Sequence, residues 1–219
     1  MYEYVKDKQF LKRAQNCCSD IMKQLEESLR EQGMNTQFFL VGSGARNMIT
    51  QNGDGNIDFD YNLNVISCDD WKARSIKELI RKTFNKVMRQ NNLNDVEDSK
   101  SSLTTKLIYF KDDPDIEFKI DVCIVTEQDD NWYRLIHRKT GFMQTDEYIW
   151  NEAPHSKNCK AKADLIKKAP GWWEVVRKKY LEIKNHYLSY HDDNHPSYIC
   201  YVEAVNAVYN SMRQKHIIK

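Results

Sequence analysis

The chain has 219 residues, 41% hydrophobic and 30% charged, with only 7 Gly and 4 Pro; this is an ordinary folded composition, long enough for one large domain or a domain with an appendage. Its formal charge of +1 gives no electrostatic case for binding duplex DNA. No apolar run approaches the roughly 18 residues needed to cross a bilayer, and the opening MYEYVKDKQF lacks the apolar stretch of an export signal. A cytoplasmic protein without membrane partners is therefore expected. Its six cysteines, none in a CxxC pair, should stay reduced and serve mostly as small core residues.

Val5, Phe10, Ala14, Cys17, Ile21, Leu25 and Leu29 recur at helical spacing, so the first 33 residues are expected to form one helix stopped by Gly33. Residues 37–41 (QFFLV) read as a short apolar strand, and residues 42–56 as a loop or short helix. Residues 57–65 alternate strictly: Ile57, Phe59, Tyr61 and Leu63 point one way, Asp58, Asp60, Asn62 and Asn64 the other. Residues 69–91 predict a helix whose buried stripe is Trp71, Leu79, Ile80, Phe84, Val87 and Met88. Strands are expected at 103–110 and 116–125 around the turn KDDPD, with a second hairpin at 132–138 and 142–150. Beyond Pro154 the pattern is helical, at 158–169, 171–188 and 196–212, which puts a boundary between a core at 1–153 and a helical subdomain at 154–219.

The charges are unevenly divided. Residues 154–219 carry 12 Lys or Arg against 6 Asp or Glu, while residues 1–153 carry 21 against 26. An acidic front half and a basic back half suit a metal site beside a polyanion site, and equally suit scatter over solvated helices.

Asp58 and Asp60 lie about 6.5–7 Å apart along one face of their strand. The strand at 116–125 repeats the design, with Phe118, Ile120, Val122 and Ile124 on one face and Glu117, Lys119 and Asp121 on the other. If the two strands are neighbours, Asp121 can join Asp58 and Asp60. Carboxylates gathered near 4 Å repel by about 4 kcal/mol a pair at an effective dielectric of 20. Such a cluster is relieved by protonation or by a cation, and oxygen-only ligands beside phosphates suit Mg²⁺. Alternating acids on a solvated strand face are common, so the DxD pair alone is a weak signal. It gains from Gly42-Ser43, directly after an apolar strand. A glycine there lets backbone approach a phosphate, and Ser43 adds a donor, with residues 45–49 expected to be helical.

In this order the pieces FFLVGSGARNM, NIDFDYNL and FKIDVCIV resemble the DNA polymerase β-type nucleotidyltransferase superfamily over roughly residues 37–125. The resemblance implies an α+β fold: a mixed β-sheet nucleotidyltransferase core with flanking helices, then the small helical subdomain. It also implies transfer of a nucleoside monophosphate from an NTP, with release of pyrophosphate. Asp58, Asp60 and Asp121 would bind two Mg²⁺ ions, with Mn²⁺ as a substitute, and Asp121 would take the proton of the attacking hydroxyl. Gly42 and Ser43 would hold the triphosphate. The acceptor is left open among small molecules, nucleotides, RNA ends and protein side chains. A catalytically silent nucleotide-binding or regulatory module of the same fold is the alternative. Two departures stand out: a long spacer between Ser43 and Asp58, and Asn56 where many small members carry Ser or another polar residue.

Other motifs are weaker. GSGARN lacks the last glycine of GxGxxG, and there is no Gly-Lys-Ser/Thr pattern or kinase HRD and DFG set. His191 with His195, and His155 with Cys159, have ligand spacing but fall in expected loops. Trp172, Trp173, Tyr198 and Tyr201 could stack on a base, although aromatics at helical spacing are more often core. Lys157, Lys160 and Lys162 could meet phosphates or simply face solvent.

Overall fold

A computed structural model of the chain describes residues 1–142, 144–153, 158–192 and 196–218. Pro154, His155, Lys157 and His195 lie outside the described residues. In chain order the elements are β1 (Tyr2–Tyr4), α1 (Lys8–Arg30), β2 (Asn35–Leu40), α2 (Gly42–Ala45), β3 (Thr50–Asn52), β4 (Ile57–Ser67), α3 (Ala73–Gln90) and β5 (Glu97–Asp98). They continue with β6 (Leu103–Thr104), β7 (Ile108–Phe110), β8 (Asp113–Gln128), β9 (Asn131–Arg138), β10 (Glu147–Glu152), α4 (Cys159–Lys168), α5 (Trp172–Ser189) and α6 (Ser197–Gln214). None of these helices is long and apolar enough to cross a membrane.

The chain divides into two compact units, the larger made of Val5–Ile49 and Asp54–Ala153. Its mixed sheet runs β10-β9-β8-β4-β2, with β6 and β7 also paired to β8 and β5 paired to β6. The period-two alternation of β4 explains its central place: Ile57, Phe59, Tyr61, Leu63 and Val65 are all buried. Phe118, Ile120, Val122 and Ile124 of β8 continue that apolar face, and α1 and α3 cover it with Phe10, Ile21, Leu25, Leu29, Ile80, Phe84 and Val87. Both helices thus pack on one side of the sheet, and the acidic residues of β4 and β8 fall on the other.

The first helix is shorter than its periodicity suggests. Asp7 accepts from the backbone N–H groups of Gln9 and Phe10 and starts α1 there, while residues 2–4 form β1. Trp71 precedes α3 and is 42% exposed, so it leaves the predicted stripe; Lys77 sits within the buried face instead. The expected strand at 103–110 is two short strands. Between them Thr105 is buried and turns inward, its hydroxyl accepting from Ile120 N at 2.9 Å and its N–H donating to Ile120 O at 3.0 Å.

The smaller unit contains Met1–Tyr4, Thr50–Gly53 and Pro154–Lys219. β1 and β3 pair antiparallel. Asn185 of α5 brackets Tyr2, accepting from its N–H at 2.7 Å and donating to its carbonyl at 3.0 Å. Cys159, Ala163, Ile166, Val176, Tyr180, Cys200, Ala204, Val205 and Val208 are buried in α4, α5 and α6. All six cysteines are free thiols, and Cys18, Cys159 and Cys200 are buried.

Candidate active site

β4 and β8 run parallel, and their register pairs Asp60 with Asp121 and Asp58 with Lys119. Partners in register point to the same face, so the structure sets Asp60 and Asp121 side by side, with Asp58 one alternation along. The order of these residues follows from packing. Phe59 pairs with Ile120 and Tyr61 with Val122 on the covered face, which leaves the intervening aspartates on the opposite one. A slip of one residue would push the acids into the core.

Gly42 and Ser43 open α2 immediately after β2. Val41 N donates to Asp60 O at 2.8 Å, which ties this turn to the centre of β4. Gly42 has φ of 63°, and a Cβ added there would stand 2.2 Å from Asp60 Oδ2. The position therefore demands glycine twice, for its left-handed backbone and for its missing side chain. Ser43 follows, its carbonyl accepting from Met48 N at 2.9 Å and Arg46 N at 3.2 Å. The helix here is Gly42–Ala45 rather than the expected 45–49, because Asn47 takes a left-handed conformation and ends it.

Burial pushes the Asp60 carboxyl up to about 6, with Asp121 and then Asp58 adding to the rise. Arg46 and Arg134 pull in the other direction. Arg46 also donates to the Gly42 carbonyl at 2.5 Å. Asn56 donates to Asp58 Oδ1 at 2.6 Å, which gives a structural role to the residue that departs from the resembled pattern. On the far side of β8, Thr104 of β6 is in register with Asp121 and donates from Oγ1 to Asp121 Oδ1.

An all-carboxylate donor set in which one member resists ionisation fits a hard divalent cation. Among the described residues, no three His, Cys, Asp or Glu side chains converge closely enough to ligate one ion as they stand. Asp60 and Asp121 are neighbours in register, whereas Asp58 is exposed and engaged by Asn56.

Sequence reasoning missed Thr104, which carried no local signal, and Arg134. Arg134 pairs with Val125 on β8 and so shares the carboxylate face, with its Nε buried and not hydrogen-bonded. It also missed a buried charge cluster. Lys77, 2% exposed, pairs with Asp98 at 2.7 Å; His137 reaches Asp98 at 3.0 Å and Asp146 at 2.9 Å through its two ring nitrogens, and Tyr148 stacks on its ring at 4.1 Å. A hollow of about 580 Å³ on α3, lined by Lys82, Asn85, Lys86, Arg89 and Gln90, contains none of the carboxylates.

In the smaller unit, Lys160 pairs with Asp164 and Lys162 donates to Asn206 at 2.6 Å. Tyr201 is buried, Tyr198 is 39% exposed, and Trp172 and Trp173 lie under Lys215 and Lys167.

No family model matches the chain, and no curated protein matches it in sequence. Solved structures do match. Elizabethkingia meningoseptica CdnE cyclic dinucleotide synthase with GTP and Apcpp is similar at TM-score 0.53 and 13% identity, over 90% of this chain and 69% of that one. Escherichia coli DncV in its 3'-deoxy GTP bound form gives 0.52 and 14%, over 79% and 46%. Vibrio cholerae DncV in its GTP bound form gives 0.51 and 14%, over 80% and 45%. The chain spans less than half the length of either DncV protein. The likeness shows the fold: the chain shares the α+β fold of these solved structures.

Proposed function

We propose that this chain is a metal-dependent nucleotidyltransferase that transfers a nucleoside monophosphate from an NTP to a hydroxyl acceptor and releases pyrophosphate. Residues 1–153 supply the catalytic core and residues 154–219 an accessory helical region. The observation that carries the reading is the parallel register of Asp60 and Asp121 beside a turn whose glycine rests on the Asp60 carboxylate. Asp58, Asp60 and Asp121 would hold Mg²⁺, which when bound would supply charge neutralisation for the attacking and leaving oxygens. Gly42 and Ser43 bind the triphosphate next to these carboxylates. Asp121 is the group to take the proton of the incoming hydroxyl. Catalysis on this reading is positioning and electrostatics, with no covalent intermediate.

The named neighbours are nucleotide-bound, and CdnE is a cyclic dinucleotide synthase. A second nucleotide is therefore the first acceptor to test, before small molecules, RNA ends or proteins. The experiment is pyrophosphate release from each of the four NTPs, alone and in pairs, with Mg²⁺ or Mn²⁺, for the full chain and for Asp58→Asn, Asp60→Asn and Asp121→Asn. Release by the parent and loss in all three variants supports the proposal. Nucleotide and metal binding without release points to a silent binding module, and full activity in a variant removes that residue from the machinery.

A further inference from the structure

Asp121 has unlike neighbours on its two sides. Across β4 stands Asp60, which repels it; across β6 stands Thr104, whose hydroxyl donates to Oδ1. An ionised carboxylate only accepts, so the single Thr104 proton is committed to Asp121. Thr104 Oγ1 is then an acceptor for Ser102 Oγ at 3.4 Å, and Ser102 Oγ lies 2.8 Å from Ser99 Oγ, which also donates to the Ser102 carbonyl at 3.0 Å. The hydroxyls form a directed line, Ser102 to Thr104 to Asp121, in which each bond polarises the next, with Ser99 packed against its outer end. The line is anchored at its far end. The Ser99 carbonyl accepts from Lys77 Nζ at 2.9 Å, and Lys77 is itself buried and paired with Asp98.

We propose that Thr104 is a positioning residue for Asp121: it fixes Oδ1 and leaves Oδ2 as the oxygen that meets a cation or an attacking hydroxyl. This inference rests on the nucleotidyltransferase reading. Without the Thr104 proton, the carboxylate beside Asp60 has a repulsive neighbour and no fixed donor, and it turns away.

The test compares Thr104→Val, which keeps the shape and removes the donor, with Thr104→Ser, which keeps the donor. Ser102→Ala serves as a second variant that leaves Thr104 in place. Two readouts are taken on the full chain: Mn²⁺ affinity by calorimetry without nucleotide, and steady-state pyrophosphate release. In Thr104→Val, kcat should fall by about tenfold or more, the scale of one hydrogen bond to a charged group, while KM for the NTP stays within about threefold. Mn²⁺ affinity should fall in the same variant, and Thr104→Ser should restore both. Ser102→Ala should show a smaller loss of the same kind. A Thr104→Val protein that matches the parent in Mn²⁺ affinity and kcat overturns the inference and leaves the function standing. A parent that neither binds Mn²⁺ nor releases pyrophosphate overturns the function, and the inference with it. A parent that binds Mn²⁺ but is silent leaves the calorimetry to decide on Thr104.

Discussion

The backbone of Gly42 rests against the Asp60 carboxylate so closely that a single added methyl would come within 2.2 Å of Oδ2. Gly42→Ala must therefore displace either the turn or the carboxylate, and it also places a side chain at φ of 63°. The strained backbone costs about 1–3 kcal/mol. Activity should suffer more than stability, because a displacement near 1 Å in a positioned site can cost about a hundredfold in rate. Pyrophosphate release and the thermal midpoint, measured together, check this. A Gly42→Ala protein with parental kcat would show that the turn does not serve the reaction.

Asp60 gives a pH prediction with a definite sign. Its carboxyl titrates near 6 in the folded chain and near 3.8 when unfolded. Between those values the native state holds a proton that the unfolded chain has released, so stability falls as pH rises through the window. The rise corresponds to about 3 kcal/mol at most. In chelator, Asp60→Asn should equal the parent below about pH 4 and exceed it by a growing margin up to about pH 7. Mg²⁺ should then stabilise the parent more than the variant. Urea denaturation at pH 4, 5, 6 and 7 decides; a margin that does not change with pH would falsify the account of Asp60.

The Lys77–Asp98–His137–Asp146 cluster predicts a large and asymmetric effect. Both His137 nitrogens face carboxylate oxygens, those of Asp98 and Asp146, and Asp98 also meets Lys77. Asp98→Ala strands the Lys77 ammonium, which is 2% exposed, and should cost about 3–5 kcal/mol. Lys77→Met combined with Asp98→Asn removes the buried ion pair as a whole and keeps an acceptor for His137. It should cost less than half as much in urea denaturation at pH 7; equal costs would mean that the pair is incidental.

Asp7 provides a smaller check on the local architecture. Its side chain caps α1 with bonds of 2.9 Å to Gln9 N and 2.8 Å to Phe10 N. Asp7→Ala should lower stability by about 1 kcal/mol, read as a shift in the urea midpoint with the slope unchanged, and should leave nucleotide binding alone.

What could be read from the sequence was whatever a local period encodes. The alternation in IDFDYNL and FKIDVCIV decides which side chains meet the core, and the core decides that Asp60 and Asp121 face the same way. The helices at α3, α4, α5 and α6 announce themselves in the same manner. Features that need distant partners gave no warning. Tyr2–Tyr4 becomes a strand because Thr50–Asn52 pairs with it. Thr104 matters because β6 happens to align it with Asp121. Trp71 looked like part of a stripe, but α3 begins two residues later. Lys77 left one trace, a cation lodged between Ile76 and Ile80 in an apolar face, which only its acid partner on β5 explains.

The pairing of Phe59 with Ile120 and Tyr61 with Val122 also bears on how this chain tolerates change. The alignment of the two aspartates is enforced by side chains on the opposite surface of the sheet, none of which touches the reaction. Polar neighbours such as Asn62 and Cys123 can therefore drift, and with them the shape presented to an acceptor, while the acid pair stays in place. A single inserted residue within β8 would be far more damaging, since it would exchange the inner and outer surfaces of the strand at one stroke.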